Sequence, residues 1–190
     1  RFDSQLRASL PRRKQVWAEL VRAKIAHQGA VLESAGAPTA PLFSLLKRVR
    51  SGDAGNVEAQ AARRYWSLLF GAGFRRDREA AGVNAMLNYG YTVLRAATAR
   101  AVVAAGLHPT LGVHHSNEAN AMRLVDDLME PFRPLVDEVV WQLRRDGFEG
   151  VDREVKRALG AVLYVDRQTS EGATPLIACI VRLASSLAQV

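Results

Sequence analysis

Three places in this sequence put ligand-type side chains where packing alone explains them poorly. Glu58 stands at the start of a helical run, Val57-Glu58-Ala59-Gln60-Ala61-Ala62-Arg63-Arg64-Tyr65-Trp66. His114 and His115 sit side by side in a loop, after a separate His108. Asp126, Asp127 and Glu130 lie together on an acidic helix, with Asp127 and Glu130 on one face at i, i+3. Each has an ordinary explanation taken alone: a carboxylate favoured at a helix N-terminus, solvated loop histidines, an exposed acidic face. Taken together, two carboxylates and an imidazole form a hard donor set with one borderline ligand. That set suits Mg²⁺ or Mn²⁺ and leaves coordination positions for water and a phosphate oxygen. Geometry imposes a condition. On one continuous helix the 15 residues from His115 to Glu130 would span about 22 Å at 1.5 Å per residue. The histidine loop must therefore fold back along the acidic helix, and Gly112 and the Ser116-Asn117 pair give it room.

The elements that must hold these residues are helical, because apolar side chains recur at spacings of three and four and no convincing period-two run is present. A first helix is expected over 11–36, begun by Pro11 after Ser9-Leu10, with Val16, Trp17, Leu20, Val21, Ile25, Val31 and Leu32 inward. A short one follows Thr39. After the loop 51–55, Asn56 is placed to cap the helix that carries Glu58. Residues 71–82 read as a basic loop containing Arg75, Arg76 and Arg78. A long alanine-rich helix then covers about 83–105, with Gly90 inside it. Glycine there costs about 1 kcal/mol relative to alanine, so close approach by another helix or by DNA is implied. Asn117 or Asn120 opens the acidic helix, which Pro131 and Pro134 interrupt before a continuation to Arg145. Two final helices are expected in 151–164 and 174–189. The fold class is all-α, one domain over residues 1–190.

Composition narrows the chemistry. Of 190 residues, 24% are charged and 48% hydrophobic, a globular balance. No stretch approaches the roughly 18 apolar residues of a spanning helix, and no secretory leader is visible, so a cytoplasmic protein without membrane contact is expected. The single cysteine, Cys179, excludes an internal disulfide framework and a cysteine-based zinc cluster, and its apolar neighbours mark it as a buried thiol. Net charge is +7, unevenly spread: residues 1–50 carry 10 basic and 3 acidic groups, whereas 101–150 carry 4 and 8. Basic flanks around an acidic centre suit an enzyme that holds a phosphate backbone and a divalent cation. A basic protein with a merely solvated acidic helix has the same balance.

The strings Asn84-Ala85-Met86-Leu87-Asn88-Tyr89-Gly90-Tyr91, Gly106-Leu107-His108-Pro109, Gly112-Val113-His114-His115-Ser116-Asn117 and Asp126-Asp127-Leu128-Met129-Glu130-Pro131-Phe132-Arg133-Pro134 strongly resemble the CRISPR-associated spacer-acquisition integrase, in the branch found with type II systems. Arg64-Tyr65-Trp66 through Leu69-Phe70-Gly71 adds a further match, and the likeness runs over residues 16–186. The resemblance implies an all-helical catalytic domain that binds one divalent metal, Mg²⁺ or Mn²⁺, through Glu58, His115 and Glu130. Asp127 would act as a neighbour of these ligands or as an alternative one. His115 is chosen over His114 because the family's ligand precedes an Asn-rich helix start. Two departures stand out: Ala81-Gly82 replaces the family's Asp-Pro-type turn, and nothing corresponds to its N-terminal β-rich domain.

The activity implied is a metal-assisted DNA transesterification that inserts new spacers at a CRISPR repeat, with nicking and branched-DNA cleavage by the same endonuclease site. The implied partners are double-stranded and branched DNA and a small ferredoxin-like CRISPR adaptation protein. The family's homodimer would be weak or altered without the β domain. Arg63, Arg64, Arg75, Arg76 and Arg78 are candidates for phosphate contact, and Tyr89 and Tyr91 for the DNA path or the core. The competing expectation is a non-catalytic helical module that binds DNA or a protein partner. No helix-turn-helix element can be placed.

Overall fold

The computed structural model describes residues 5–170 and 172–189. Its first helix, α1 (Leu10–Ser34), is the central strut. Ser9 Oγ accepts from the Arg12 N–H at its start, and Pro11 sits in its first turn, as the sequence indicates. Trp17, Leu20, Val21, Ile25, Val31 and Leu32 form its buried stripe, and two polar residues, Lys24 and Gln28, lie buried in the same stripe. Around it pack α2 (Ala40–Leu46), α3 (Val57–Phe70) and α6 (Arg133–Arg145), together with single turns of 3₁₀ helix at Ser51–Asp53 and Glu130–Phe132.

A second strut, α4 (Val83–Ala104), gathers α5 (Arg123–Met129), α6, α7 (Arg153–Ala161) and α8 (Leu176–Leu187). Gly90 is where it touches. A Cβ there would lie 2.4 Å from Val136 Cγ1 and 3.2 Å from Leu159 Cδ2, so the close approach is by α6 and α7. The helical expectation holds throughout, with one addition. Asp166–Thr169 and Gly172–Pro175 form a two-stranded antiparallel hairpin, β1 and β2, with Thr169 opposite Gly172. Four-residue strands are too short for alternation to stand out from the helical pattern around them.

Three local expectations are corrected. Asn56 occupies the position before α3 but has φ 47° and makes no side-chain cap. Asp53 caps the helix instead, its two carboxylate oxygens accepting from Val57 N and Glu58 N at 2.9 Å each. The acidic helix starts at Arg123 rather than Asn117 or Asn120; Asn120 Oδ1 accepts from Met122 N just before it. Cys179 is half-buried at the core's edge, its thiol facing Thr174 O at 3.9 Å. No described helix is long and apolar enough to cross a membrane.

Candidate metal centre and nucleic-acid cleft

The three carboxylates of the acidic helix do three different jobs, and none is a loosely solvated face. Asp126 turns toward α4, where Arg95 holds it in a two-pronged pair at 2.6 and 3.1 Å and Asn120 Nδ2 donates at 2.7 Å. Burial disfavours its charge, but Arg95 and Asn120 outweigh that and lower its pKa. Asp127 is fully buried. It accepts from three successive backbone amides, Val113 (2.6 Å), His114 (3.0 Å) and His115 (3.2 Å), and from His115 Nδ1 at 2.5 Å. This is how the loop folds back. The turn is tight: a Cβ on Gly112 would stand 2.7 Å from His115 O and 3.1 Å from Asp127 Oδ2. Arg123 ties the loop further by donating to Thr110 O and Ser116 O.

With Nδ1–H committed to Asp127, the His115 ring presents Nε2 outward, and its side chain keeps 42% exposure. The hydrogen bond to Asp127 raises its pKa, against the opposing effect of burial. His114 lies flat against Trp17, with ring centroids 4.1 Å apart and planes 3° from parallel. Trp17 also meets His115 edge-on.

Glu130 begins the 3₁₀ turn after α5 and points the other way, into a cleft of about 310 Å³ that Glu58, His114 and His115 also border. Between the two glutamates stands an ammonium. Lys24 Nζ donates to Glu58 Oε1 and, at 2.6 Å, to Glu130 Oε2. Arg133 Nε lies 3.0 Å from Glu130 Oε1. Burial penalises the Glu130 charge, yet Lys24 and Arg133 outweigh it and hold its pKa below the usual value. Burial likewise opposes the Lys24 charge, and Glu130 and Glu58 overcome it, so the pKa is raised and the ammonium stays charged.

Asp137, which also lines this cleft, is buried between two tyrosines, with Tyr91 Oη at 2.5 Å and Tyr65 Oη at 3.1 Å. Burial lifts its pKa to about 7 despite both hydroxyl donors. Tyr91 lies under the Arg133 guanidinium, 4.9 Å from ring centroid to Cζ. Tyr89 is half-buried away from the cleft, near Lys156.

Of the basic candidates, Arg76 and Arg78 border the cleft. Arg76 is fixed there by Asn84 Oδ1 at 2.9 Å and Asn88 Oδ1 at 2.5 Å. Arg63, Arg64 and Arg75 are exposed on α3 and the loop after it. A larger cavity of about 730 Å³ lies between the N-terminal segment, the histidine loop and α8, and His115 borders it as well.

Whether these residues suit a divalent ion can be judged from their arrangement. Among the described residues no three His, Cys, Asp or Glu side chains stand close enough together to enclose a metal. The chemistry nevertheless fits: two carboxylates already share one cation, and the imidazole bordering the same cleft has its other nitrogen anchored. Sequence reasoning did not single out Lys24, Gln28, Arg133 or Asp53. A signal for the first two exists, since they fall inside the apolar stripe of α1, 7 and 11 residues after Trp17.

The architecture is that of a helical domain with an acidic pair and an imidazole on a cleft walled by arginines. Residues 3–153 match the family model of CRISPR associated protein Cas1. Over 172 residues the chain is 42% identical to a CRISPR-associated endonuclease Cas1 of Neisseria meningitidis serogroup C (strain 8013), covering 86% of this chain and 56% of that protein. A second such endonuclease, from Pyrobaculum aerophilum, is 40% identical over 130 residues, 67% of this chain and 43% of the relative. The chain therefore belongs to the Cas1 family, and it spans about half the length of the curated relatives it matches. In fold it is similar to a casposase bound to its integration product (TM-score 0.84, 22% identity, covering 98% of this chain and 66% of that one). A Cas1 protein from Thermotoga maritima is similar too, with TM-score 0.78, 16% identity and coverage of 99% and 66%.

Proposed function

We propose that this chain carries the catalytic centre of a spacer-acquisition integrase, with Glu58, His115 and Glu130 as the ligands of one Mg²⁺ or Mn²⁺. Family membership supports the reaction class. The observation that carries the residue assignment is that Glu58 and Glu130, from separate elements, contact a single cation in a cleft that His115 borders. Bound there, the ion would polarise a phosphodiester and offset charge on its oxygens. The chain's own residues prepare the site. Asp127 fixes the His115 tautomer and closes the loop around it, and Arg133 aligns Glu130. Arg76 and Arg78 line the approach for the DNA backbone, with Arg63, Arg64 and Arg75 beyond.

In the reaction, a DNA 3′-hydroxyl attacks a phosphodiester at the edge of a repeat, forming one ester as another breaks. No covalent enzyme intermediate is needed. The reverse step resolves branched DNA, and water in place of the hydroxyl gives nicking. Solved structures similar in fold include Cas6-RT-Cas1–Cas2 complexes. The corresponding partner here is a small ferredoxin-like CRISPR adaptation protein, alongside double-stranded and branched DNA.

The test is cleavage of branched DNA in Mg²⁺ and in Mn²⁺ by the wild type and by Glu58→Ala, His115→Ala and Glu130→Ala. Each substitution should lower the rate by roughly 10²-fold or more, the scale of losing one electrostatic contributor. Full activity in any of the three would remove that residue from the ligand set. Absence of cleavage by the folded wild type in both metals favours the binding-module alternative.

A further inference from the structure

Two buried polar side chains of α1 face the cleft without a role in the chemistry above. Lys24 is 8% exposed and its ammonium is clasped by both glutamates. Gln28, one helical turn on, is 2% exposed, and its Oε1 is buried without a hydrogen-bond partner. Buried acceptors are normally satisfied, so an orphan at the wall of a functional cleft points to a donor that arrives in another state.

The charges around Lys24 say what that state is. Lys24 and Arg133 together balance Glu58 and Glu130. A divalent ion held by the same carboxylates would stand within a few ångströms of the ammonium, and at that range two cations repel strongly. Lys24 cannot then keep both of its contacts. Its head is carried on a flexible four-carbon stem. Residues i and i+4 of a helix are surface neighbours, which puts Gln28 Oε1 within its sweep.

We propose that Lys24 is a resident counter-ion of this centre, holding Glu58 and Glu130 together in the metal-free state, competing with the divalent ion for them, and parking on Gln28 Oε1 when displaced. This assignment rests on Glu58 and Glu130 being metal ligands. Lys24 is a positioning residue, acting through the two carboxylates. It prevents them from repelling each other in an empty site, and it sets the metal concentration at which the site fills.

The experiment titrates Mn²⁺ alone into the 190-residue chain, read by calorimetry and by thermal unfolding with and without Mn²⁺. Lys24→Met should bind Mn²⁺ roughly tenfold more tightly or better, because a charge a few ångströms away moves an equilibrium by that much. Its metal-free form should melt earlier than wild type, and Mn²⁺ should restore the difference. Lys24→Arg keeps the cation and should stay near the wild-type affinity. Gln28→Leu removes the parking acceptor and should weaken Mn²⁺ binding several-fold. A purely structural lysine would lower the melting temperature and leave Mn²⁺ affinity unchanged. If Lys24→Met does not fold, Lys24→Gln removes the same charge and is read the same way. Wild type that binds Mn²⁺ no more weakly than these neutral variants would overturn the inference while leaving the ligand assignment standing. If neither the wild type nor the neutral variants bind Mn²⁺, the ligand assignment itself fails, and the inference with it.

Discussion

Asp127 and Asp137 are both buried carboxylates, and their surroundings give them opposite parts. Asp127 receives four N–H donors and pins the loop that carries His115. Asp137 receives two hydroxyls, and burial raises its pKa from 3.8 to about 7. The sign of its effect on stability follows. Between about pH 4 and 7 the folded state holds this proton and the unfolded state does not, so the contribution is full below pH 4 and lost as pH rises to 7. Across pH 5 to 7 that is on the order of 2–3 kcal/mol, at 1.36 kcal/mol per unit. Asp137→Asn cannot titrate. Urea unfolding at pH 5 and pH 8 should show the wild type losing this stability relative to Asp137→Asn. Parallel behaviour of the two proteins would mean that Asp137 keeps an ordinary carboxylate pKa. As candidates, His115 and Glu130 were legible because motif strings contain them, and Glu58 because it is a carboxylate at the start of a helical run. Lys24 was not, since a lysine in a helix reads as surface until the partners that neutralise it are known, and those lie 34 and 106 residues away.

Helices position the site at their ends and at their closest crossings, and only part of that is written in local pattern. Ser9 at the start of α1 and Asp152 at the start of α7 cap as their types suggest. The cap of α3 comes from Asp53 across a turn in which Gly52, Asp53 and Asn56 all have positive φ, a conformation that residue types alone do not announce. That cap matters to the centre because one of the amides it satisfies belongs to Glu58. Gly90 was legible as a close approach, and the structure supplies its partners, Val136 and Leu159. Gly90→Ala gains about 1 kcal/mol of helix propensity. The new methyl overlaps Val136, however, and overpacking of this kind costs typically 1–3 kcal/mol and occasionally more. A net loss of up to about 2 kcal/mol is expected by urea denaturation. Adding Val136→Ala should recover part of it, so the double mutant loses less than the sum of the singles. Additive losses would place the strain elsewhere than the α4–α6 crossing.

For the whole molecule, the uneven charge seen along the chain becomes a division between inside and outside. The acidic stretch 101–150 is largely consumed internally: Asp126 by Arg95, Asp127 by the histidine loop, Glu130 by Lys24 and Arg133, Asp137 by two tyrosines, Glu138 by Arg167. Of that stretch Glu118, Asp146 and Glu149 are left exposed to oppose a polyanion approaching from outside, while Arg63, Arg64, Arg75 and Arg78 are exposed too, Arg78 at the border of the cleft. DNA binding should accordingly be dominated by phosphate contacts and weaken steeply with salt, through release of condensed counterions. Measured without metal on a short duplex, the logarithm of affinity should fall linearly with the logarithm of salt concentration. Arg78→Ala, at the rim of the cleft, and Arg64→Ala, on the outer face of α3, should each flatten that slope by about 0.9, the loss of one phosphate contact. Arg100→Ala, also exposed but outside the cleft lining, should leave the slope unchanged. If Arg100→Ala flattens the slope and the other two do not, the DNA follows a different face of the molecule, and the cleft is reached only by the one phosphate that reacts.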